Sequence, residues 1–377
     1  MSGIYIHIPF CNQACHYCNF HFSTSLNNKD AFLVALTKEI SLRSSYLDDE
    51  PVSTIYFGGG TPSLLAASEI DHIIDELSRF HNIEPKAEIT LEANPEDINK
   101  KGYLSDLAAS RVNRLSIGVQ SFCDEDLRFM NRIHDGEEAG LALRNSLEAG
   151  FENLSVDLIY GTPTLSDAQW ADNIEKVISL GIPHISMYCL TVEPKTPLFD
   201  QIKKGKVQDV DDERANGHFQ IAAKQLENNK YVHYEISNFC KEGFMAAHNS
   251  NYWKGKDYLG LGPSAHSYNQ HSRSWNAANN NEYIAKLNAG ELPLTQEDLS
   301  VADQYNDYVM LSLRTIWGLS LEYVLESFGD EFVTHCKQEM LPHISSGRIV
   351  ISDAAYTLTG QGKLFADQIA ADLFIVE

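Results

Sequence analysis

Short apolar runs, rich in β-branched and aromatic residues, recur along the first half of the chain. They are "IYIHI" (4–8), "VSTIYF" (52–57), "AEITLEA" (87–93), "RLSIGVQ" (114–120), "LSVDLIY" (154–160) and "HISMYCL" (184–190). Their length and residue types predict strands. Between them lie longer stretches with apolar residues at i, i+3 and i+4, such as "KDAFLVALTKEISLRSSYL" and "DAQWADNIEKVISLG". Each ends in Gly or a polar turn and predicts a helix. Six strands, each followed by a helix-length segment, make parallel βαβ units, so the fold class is α/β. The sheet is either open and doubly wound or part of a (β/α) barrel.

The rhythm breaks after about residue 195. Residues 211–229 predict a helix and "YVHYEIS" (231–237) a strand, and a Gly-, Asn- and aromatic-rich segment runs from Asn238 to about Asn281. From about Val301 a helix through "YNDYVMLSLRTI" leads to more helix, then to a hairpin at "RIVIS-DAA-YTLTG" and a final helix. These changes divide the chain into a core (1–200), an extension (201–295) and a small C-terminal α+β unit of winged-helix-like order (296–377). Residues 301–377 carry 4 basic against 11 acidic side chains, so a structural or interaction role is expected there rather than DNA binding.

The whole chain of 377 residues has 29 Lys and Arg against 52 Asp and Glu, a formal charge of −23. A surface that acidic repels phosphate backbones and anionic headgroups, so no nucleic-acid partner is expected. No apolar run reaches the length of a membrane span, and the N-terminal residues lack the basic and apolar regions of a signal peptide. Seven cysteines, clustered at one end, do not form a secreted disulfide framework. The chain is expected to be cytoplasmic, with its clustered thiols as metal ligands. Cys123, Cys189, Cys240 and Cys336 are read as buried small apolar residues.

The cluster lies in "YIHIPFCNQACHYCNF" (5–20), where Cys11, Cys15 and Cys18 stand in a C-x3-C-x2-C spacing. Two metals suit three close thiols. Zinc would need a fourth ligand, for which His7, His16 and His21 are candidates. An iron–sulfur cluster held by three cysteines would leave one iron free. Further polar residues mark the ends of the strands: Gly59, Gly60 and Thr61 in "GGGTP" after the second, Glu92 at the end of the third, Gln120 of the fourth, Asp157 of the fifth and Thr191 of the sixth. Polar groups at the C-terminal ends of successive parallel strands converge on one mouth.

The C-x3-C-x2-C loop, with an aromatic before its last cysteine, resembles the radical S-adenosylmethionine (SAM) superfamily. The motifs "YIHIPFC", "GGGTPSLL", "EITLEANPE", "SIGVQSF" and "DLIYGTP" resemble its coproporphyrinogen-dehydrogenase-like branch. That branch holds the oxygen-independent coproporphyrinogen III oxidases and the HemW-type haem chaperones. The resemblance covers almost the whole chain and implies a partial (β/α)6 TIM-like barrel. It also implies a [4Fe–4S] cluster on Cys11, Cys15 and Cys18 whose free iron is chelated by SAM, so that the fourth ligand is the cofactor. By the same resemblance Tyr5, Tyr17, Gly59, Gly60, Thr61 and Glu92 contact that SAM. Gln120, Arg132 and Asp157 match positions that hold a second SAM in the oxidase. On its residues alone, Arg132 reads as a solvated helix arginine.

Within the branch, the oxidase carries a further cysteine two residues after the triad, where this chain has Phe20, and a long extension before the position of Tyr5. "HNSNYW" (248–253) matches the H-N-x-x-Y-W motif of the HemW type, as does "YCLTVEPKTPL" (188–198). The resemblance therefore implies a protein that binds haem and passes it to haem-acceptor proteins. An electron donor is a further implied partner, and peripheral contact with a membrane-bound acceptor is compatible with it. The alternative within the resemblance is an oxygen-independent coproporphyrinogen III oxidase or another radical SAM enzyme acting on a tetrapyrrole. His248 is the candidate haem ligand, with His266 in "GLGPSAHSY" as a second.

Overall fold

The computed structural model describes residues 1–352 and 355–376. Six parallel strands follow one another in chain order: β1 (Ser2–Ile8), β2 (Val52–Gly59), β3 (Ile83–Ala93), β4 (Arg114–Gln120), β5 (Leu154–Tyr160) and β6 (His184–Cys189). Sequential order is that of a barrel wall, because a doubly wound sheet reverses its strand order partway. Among the described strands the wall stays open, since each of its ends continues into further strands. Beyond β1 come β9 (Tyr258–Leu261), β10 (His266–Tyr268), β11 (Ser272–Asn276) and β12 (Leu294–Asp298), and beyond β6 come β8 (Asn238–Cys240) and β7 (Val232–Glu235).

Successive residues of a strand point to opposite faces, and here the faces differ in kind. Ile4, Ile6 and Ile8, with Ile55, Phe57, Ile89, Leu91, Leu115, Ile117, Leu154, Val156 and Ile185, are fully or almost fully buried against the surrounding helices. Phe32, Leu36 and Ile40 of the helix Lys29–Leu42 join that core, as do Trp170, Ile174 and Val177 of the helix Asp167–Ser179. Burying each such side chain stabilises the fold by about 1.5–3 kcal/mol. The alternate residues form the inner face: Tyr5 and His7, Thr54 and Tyr56, Glu88, Thr90 and Glu92, Arg114 and Ser116, Ser155 and Asp157, His184, Ser186 and Tyr188. In register, Tyr5 faces Tyr56, Tyr56 faces Thr90 and Thr90 faces Arg114. This largely polar lining, to which Ile159 of β5 adds an apolar residue, departs from the continuous apolar runs usual in parallel strands.

The C-terminal region has a core of its own, built from Tyr305, Val309, Leu313, Leu319, Val324, Cys336, Met340, Ile349, Leu358 and Ile369. Its small sheet runs in the order β13 (Leu319–Ser320), β15 (Ala355–Leu358), β14 (Ile349–Ser352). The two long strands pair antiparallel, as a hairpin requires. The turn expected between them, at Asp353 and Ala354, lies outside the described residues. No helix among the described residues is long and apolar enough to cross a membrane.

Candidate functional site

The cysteine loop leaves the top of β1 and is held at both sides. The Cys11 amide donates to the Ser23 carbonyl (3.0 Å) and the Ser23 amide to the Pro9 carbonyl (2.9 Å), which closes the loop's base. The turn after the helix Asp124–Phe129 braces its tip. Gln13 donates to the Asn131 carbonyl (2.8 Å), Asn131 to the Ala14 carbonyl (2.7 Å), and the His16 amide to the Met130 carbonyl (3.1 Å). Asn131 has φ 59°, a left-handed conformation that asparagine tolerates. That turn delivers Arg132, whose guanidinium donates to Cys15 Sγ (3.4 Å), Asn94 Oδ1 (2.6 Å) and the Gly118 carbonyl (2.8 Å). Arg132 is thus an anchored cation beside the thiols, not a solvated helix residue.

Cys11, Cys15 and Cys18 are all half-buried. Burial pushes the Cys11 thiol up to about 12 against the opposing hydrogen bond of Thr61, so metal binding there must displace a proton. Zinc would need a fourth protein ligand, whereas three cysteines of a cubane each bind one of its irons. The three nearby histidines are engaged elsewhere. His7 bonds the Tyr5 hydroxyl (3.1 Å) and the His21 carbonyl (2.8 Å), His16 the Phe129 carbonyl (2.8 Å), and His21 the Asn280 side chain (2.7 Å). The donor set therefore fits a three-cysteine cluster better than a zinc ion.

The glycines after β2 form a close-fitting cradle beside this loop. A Cβ on Gly60 would lie 2.6 Å from the Phe10 carbonyl oxygen and 2.8 Å from that of Ile8. Gly59 has φ 104°, and a Cβ there would meet the His7 ring at 2.5 Å. With side chains excluded, the Gly59 amide reaches Glu92 (3.2 Å), which also accepts from the Tyr56 hydroxyl (2.7 Å). Burial raises Glu92 to about 7 against both hydrogen bonds, with the charge of Asp157 adding to the rise. Thr61 is buried and accepts from Asn94 (3.3 Å), and Tyr17 packs among Leu127, Met130, Ile159 and Leu190.

Gln120 closes β4 with φ 66°, at a bulge where the register with β5 shifts. An uncommon conformation for a non-glycine residue, it folds the side-chain amide back over Gly118. Asp157 departs from expectation. It occupies the middle of β5, because the inner-face alternation seats it against the Ser116 hydroxyl (3.1 Å) and the strand continues to Tyr160. Burial raises it to about 6, opposed by bonds from Ser186 and Ser116. Thr191 also departs: β6 ends at Cys189, and Thr191 lies exposed two residues beyond. Because β8 pairs only with His184–Ser186, the end of β6 is uncovered and Cys189 is exposed, not buried. Cys123 is half-buried, whereas Cys240 and Cys336 are buried as expected.

The structure does not gather His248 with the cysteines. It lies on the helix Ala247–Trp253 at the opposite, N-terminal end of the wall, bonded to Thr54 (2.9 Å) and stacked on Tyr56 at 5.1 Å. Burial, with the charge of Arg114, lowers it to about 3, so the imidazole is neutral and able to ligate a metal. Glu88 holds that helix by accepting from the Ala247 and His248 amides, both at 3.0 Å. His266 is exposed on β10, stacked on Trp275. The motifs alone did not single out Tyr56, Glu88, Asn94, Arg114 or Tyr188. Their signal is the polar residue at every second position of each strand.

An open wall of sequential parallel strands, with a three-cysteine loop at the top of β1 and a glycine cradle beside it, defines a class. The chain belongs to the radical SAM superfamily, and residues 5–189 match that family directly. It is 31% identical to the heme chaperone HemW of Mycobacterium tuberculosis, over 98% of this chain and 94% of that protein. It is also 31% identical to the heme chaperone HemW of Bacillus subtilis, over 98% of each. Its structure matches the coproporphyrinogen III oxidase HemN of Escherichia coli with a TM-score of 0.84, at 24% identity, covering 99% of this chain and 90% of that one. The last likeness shows the shared fold.

Proposed function

We propose that this protein binds haem and delivers it to acceptor proteins, with a [4Fe–4S] cluster and SAM held at the mouth of the wall. The observation that carries the proposal is the end-to-end similarity to relatives named heme chaperone HemW. Phe20 supports it: the fourth-cysteine position of the oxidase is filled by an aromatic ring, 68% exposed. In this reading the chain works as a core (1–200), an extension bearing His248 (201–295) and a C-terminal unit (296–377), in the cytoplasm.

Cys11, Cys15 and Cys18 would hold the cluster and leave one iron for the amino and carboxylate groups of SAM. When bound, the pair supplies one-electron cleavage of the sulfonium, given an electron donor. The chain's own residues bind, orient and shield. Arg132 offsets the negative charge of ligated thiolates through Cys15, and its fixed bonds to Asn94 and Gly118 keep it there. The Gly59–Gly60 cradle, with Tyr5, Thr61 and Tyr17, shapes the wall against which SAM would rest. Glu92, titrating near neutrality, can accept or release a proton beside the SAM amine. Gln120, Arg132 and Asp157 line the route inward that a second SAM would take. His248 is the proposed haem ligand at the far end of the wall.

The test is anaerobic reconstitution followed by haem titration and a coproporphyrinogen III turnover assay on the same sample. Stoichiometric haem binding without oxidase product is expected. Oxidase product at catalytic rates would overturn the chaperone assignment and make the protein a tetrapyrrole-oxidising enzyme. A His248→Ala variant should retain its cluster while its bound-haem spectrum shifts.

A further inference from the structure

Deep on the inner face, two buried donors lack partners. Arg114 is 2% exposed, and its Nε has no hydrogen-bond partner. The nearest carboxylate oxygen, on Glu88, is 4.0 Å away, beyond hydrogen-bond reach, and both Glu88 oxygens already accept from the amides of Ala247 and His248. Thr90 is fully buried, and its hydroxyl is likewise without a partner. These two residues are register partners on adjacent strands β3 and β4, so their side chains stand side by side on the same face. The groups around them are satisfied. His184 bonds Ser155 and the Tyr234 hydroxyl, both at 2.7 Å, and Tyr56 donates to Glu92. Two orphaned donors side by side on a buried polar face call for a shared acceptor.

We infer that Arg114 and Thr90 form a carboxylate site, and that the group they receive is a propionate side chain of the tetrapyrrole. A carboxylate matches the guanidinium fork with two oxygens and can accept a third hydrogen bond from the threonine hydroxyl. A monoanion suits the place better than a phosphate, because Glu88, Glu92 and Asp157 share the same face. Arg114 and Thr90 stand level with Tyr56 and Tyr5 and two residues, about 7 Å, below Glu92 on β3. A ligand whose carboxylate reaches this depth needs an extended body behind it, and a porphyrin has one. This inference rests on the haem-binding proposal above.

The test compares haem with its dimethyl ester, which keeps the ring and iron and loses both carboxylates. Each is titrated into the full-length wild type and into Arg114→Gln and Thr90→Val variants, all with the cluster reconstituted. Wild type should prefer the free acid at least tenfold. Arg114→Gln should bind both forms with the affinity wild type shows for the ester, and Thr90→Val should lose about threefold for the acid alone. Equal binding of acid and ester by wild type means water occupies the site and overturns the inference while leaving haem binding intact. A preference undiminished in both variants also overturns it. No binding of either form by wild type removes the haem proposal itself and this inference with it. Should Arg114→Gln not fold, the acid-to-ester ratio of Thr90→Val decides.

Discussion

Glu92 and Asp157 make this site sensitive to pH. Burial raises Glu92 to about 7 and Asp157 to about 6, from ordinary values of 4.5 and 3.8. The folded chain therefore holds protons that the unfolded chain has released. The stability these groups contribute is present in full below about pH 4 and is lost as pH rises through about 6 and then about 7. Glu92→Gln should remove the upper step. In urea denaturation of the cluster-free protein we expect it to match wild type at pH 5 and to exceed it at pH 8 by on the order of 1–2 kcal/mol. An advantage independent of pH would mean that Glu92 is not the titrating group. A second residue-scale expectation concerns Cys15, the thiol that accepts from Arg132. Cys15→Ala should fold and yet hold markedly less iron after reconstitution, measured as iron per chain.

At the scale of elements, the join between β1 and β2 leaves no room for an added side chain. The Gly60 amide donates to the Ile8 carbonyl (2.9 Å), and no Cβ fits between them. Gly60→Ala should push apart the two strand ends that support the cysteine loop. We expect a loss of about 1–3 kcal/mol, as in other overpacked sites, together with reduced cluster occupancy in the protein that remains folded. The six wall strands were legible in the sequence because their outer residues are β-branched or aromatic, and the cysteine loop was legible from its spacing. What escaped was the meaning of the polar residues between them. Asp157 read as a strand end because a lone acid in an apolar run resembles a terminus, when it is one member of an inward-facing row. Arg132 read as a solvated helix residue because the left-handed turn at Asn131 that redirects it has no apolar signature. β9 to β12 were unread because such short strands, broken by Gly and Asn, carry little period of their own and form by pairing onto β1.

For the whole molecule, the polar inner face means that the barrel lacks the packed apolar centre by which closed (β/α) barrels are stabilised. Its hydrophobic core lies between wall and helices, and a second core serves the C-terminal region. The interior is left to ligands, and any ligand that binds only the folded state adds stability in proportion to the logarithm of its concentration. Adding SAM to the reconstituted protein should therefore raise the melting temperature in a dose-dependent way, by several degrees at a hundredfold excess over its Kd. The Cys15→Ala protein should show little of that gain, which separates binding at the cluster from binding elsewhere in the chamber.

Phe20, standing exposed beside Cys18, belongs to a segment from Met1 to Asn28 that contains no Asp, Glu, Lys or Arg, in a chain of net charge −23. The cysteine loop therefore adds no acidic or basic side chain of its own to an acidic chain. Long-range repulsion keeps acidic proteins from such a chain and relaxes as salt shortens the Debye length. Encounters with an acidic electron carrier should accordingly quicken with ionic strength, the reverse of the dependence shown by oppositely charged redox pairs. Stopped-flow reduction of the cluster across a salt series would register that sign.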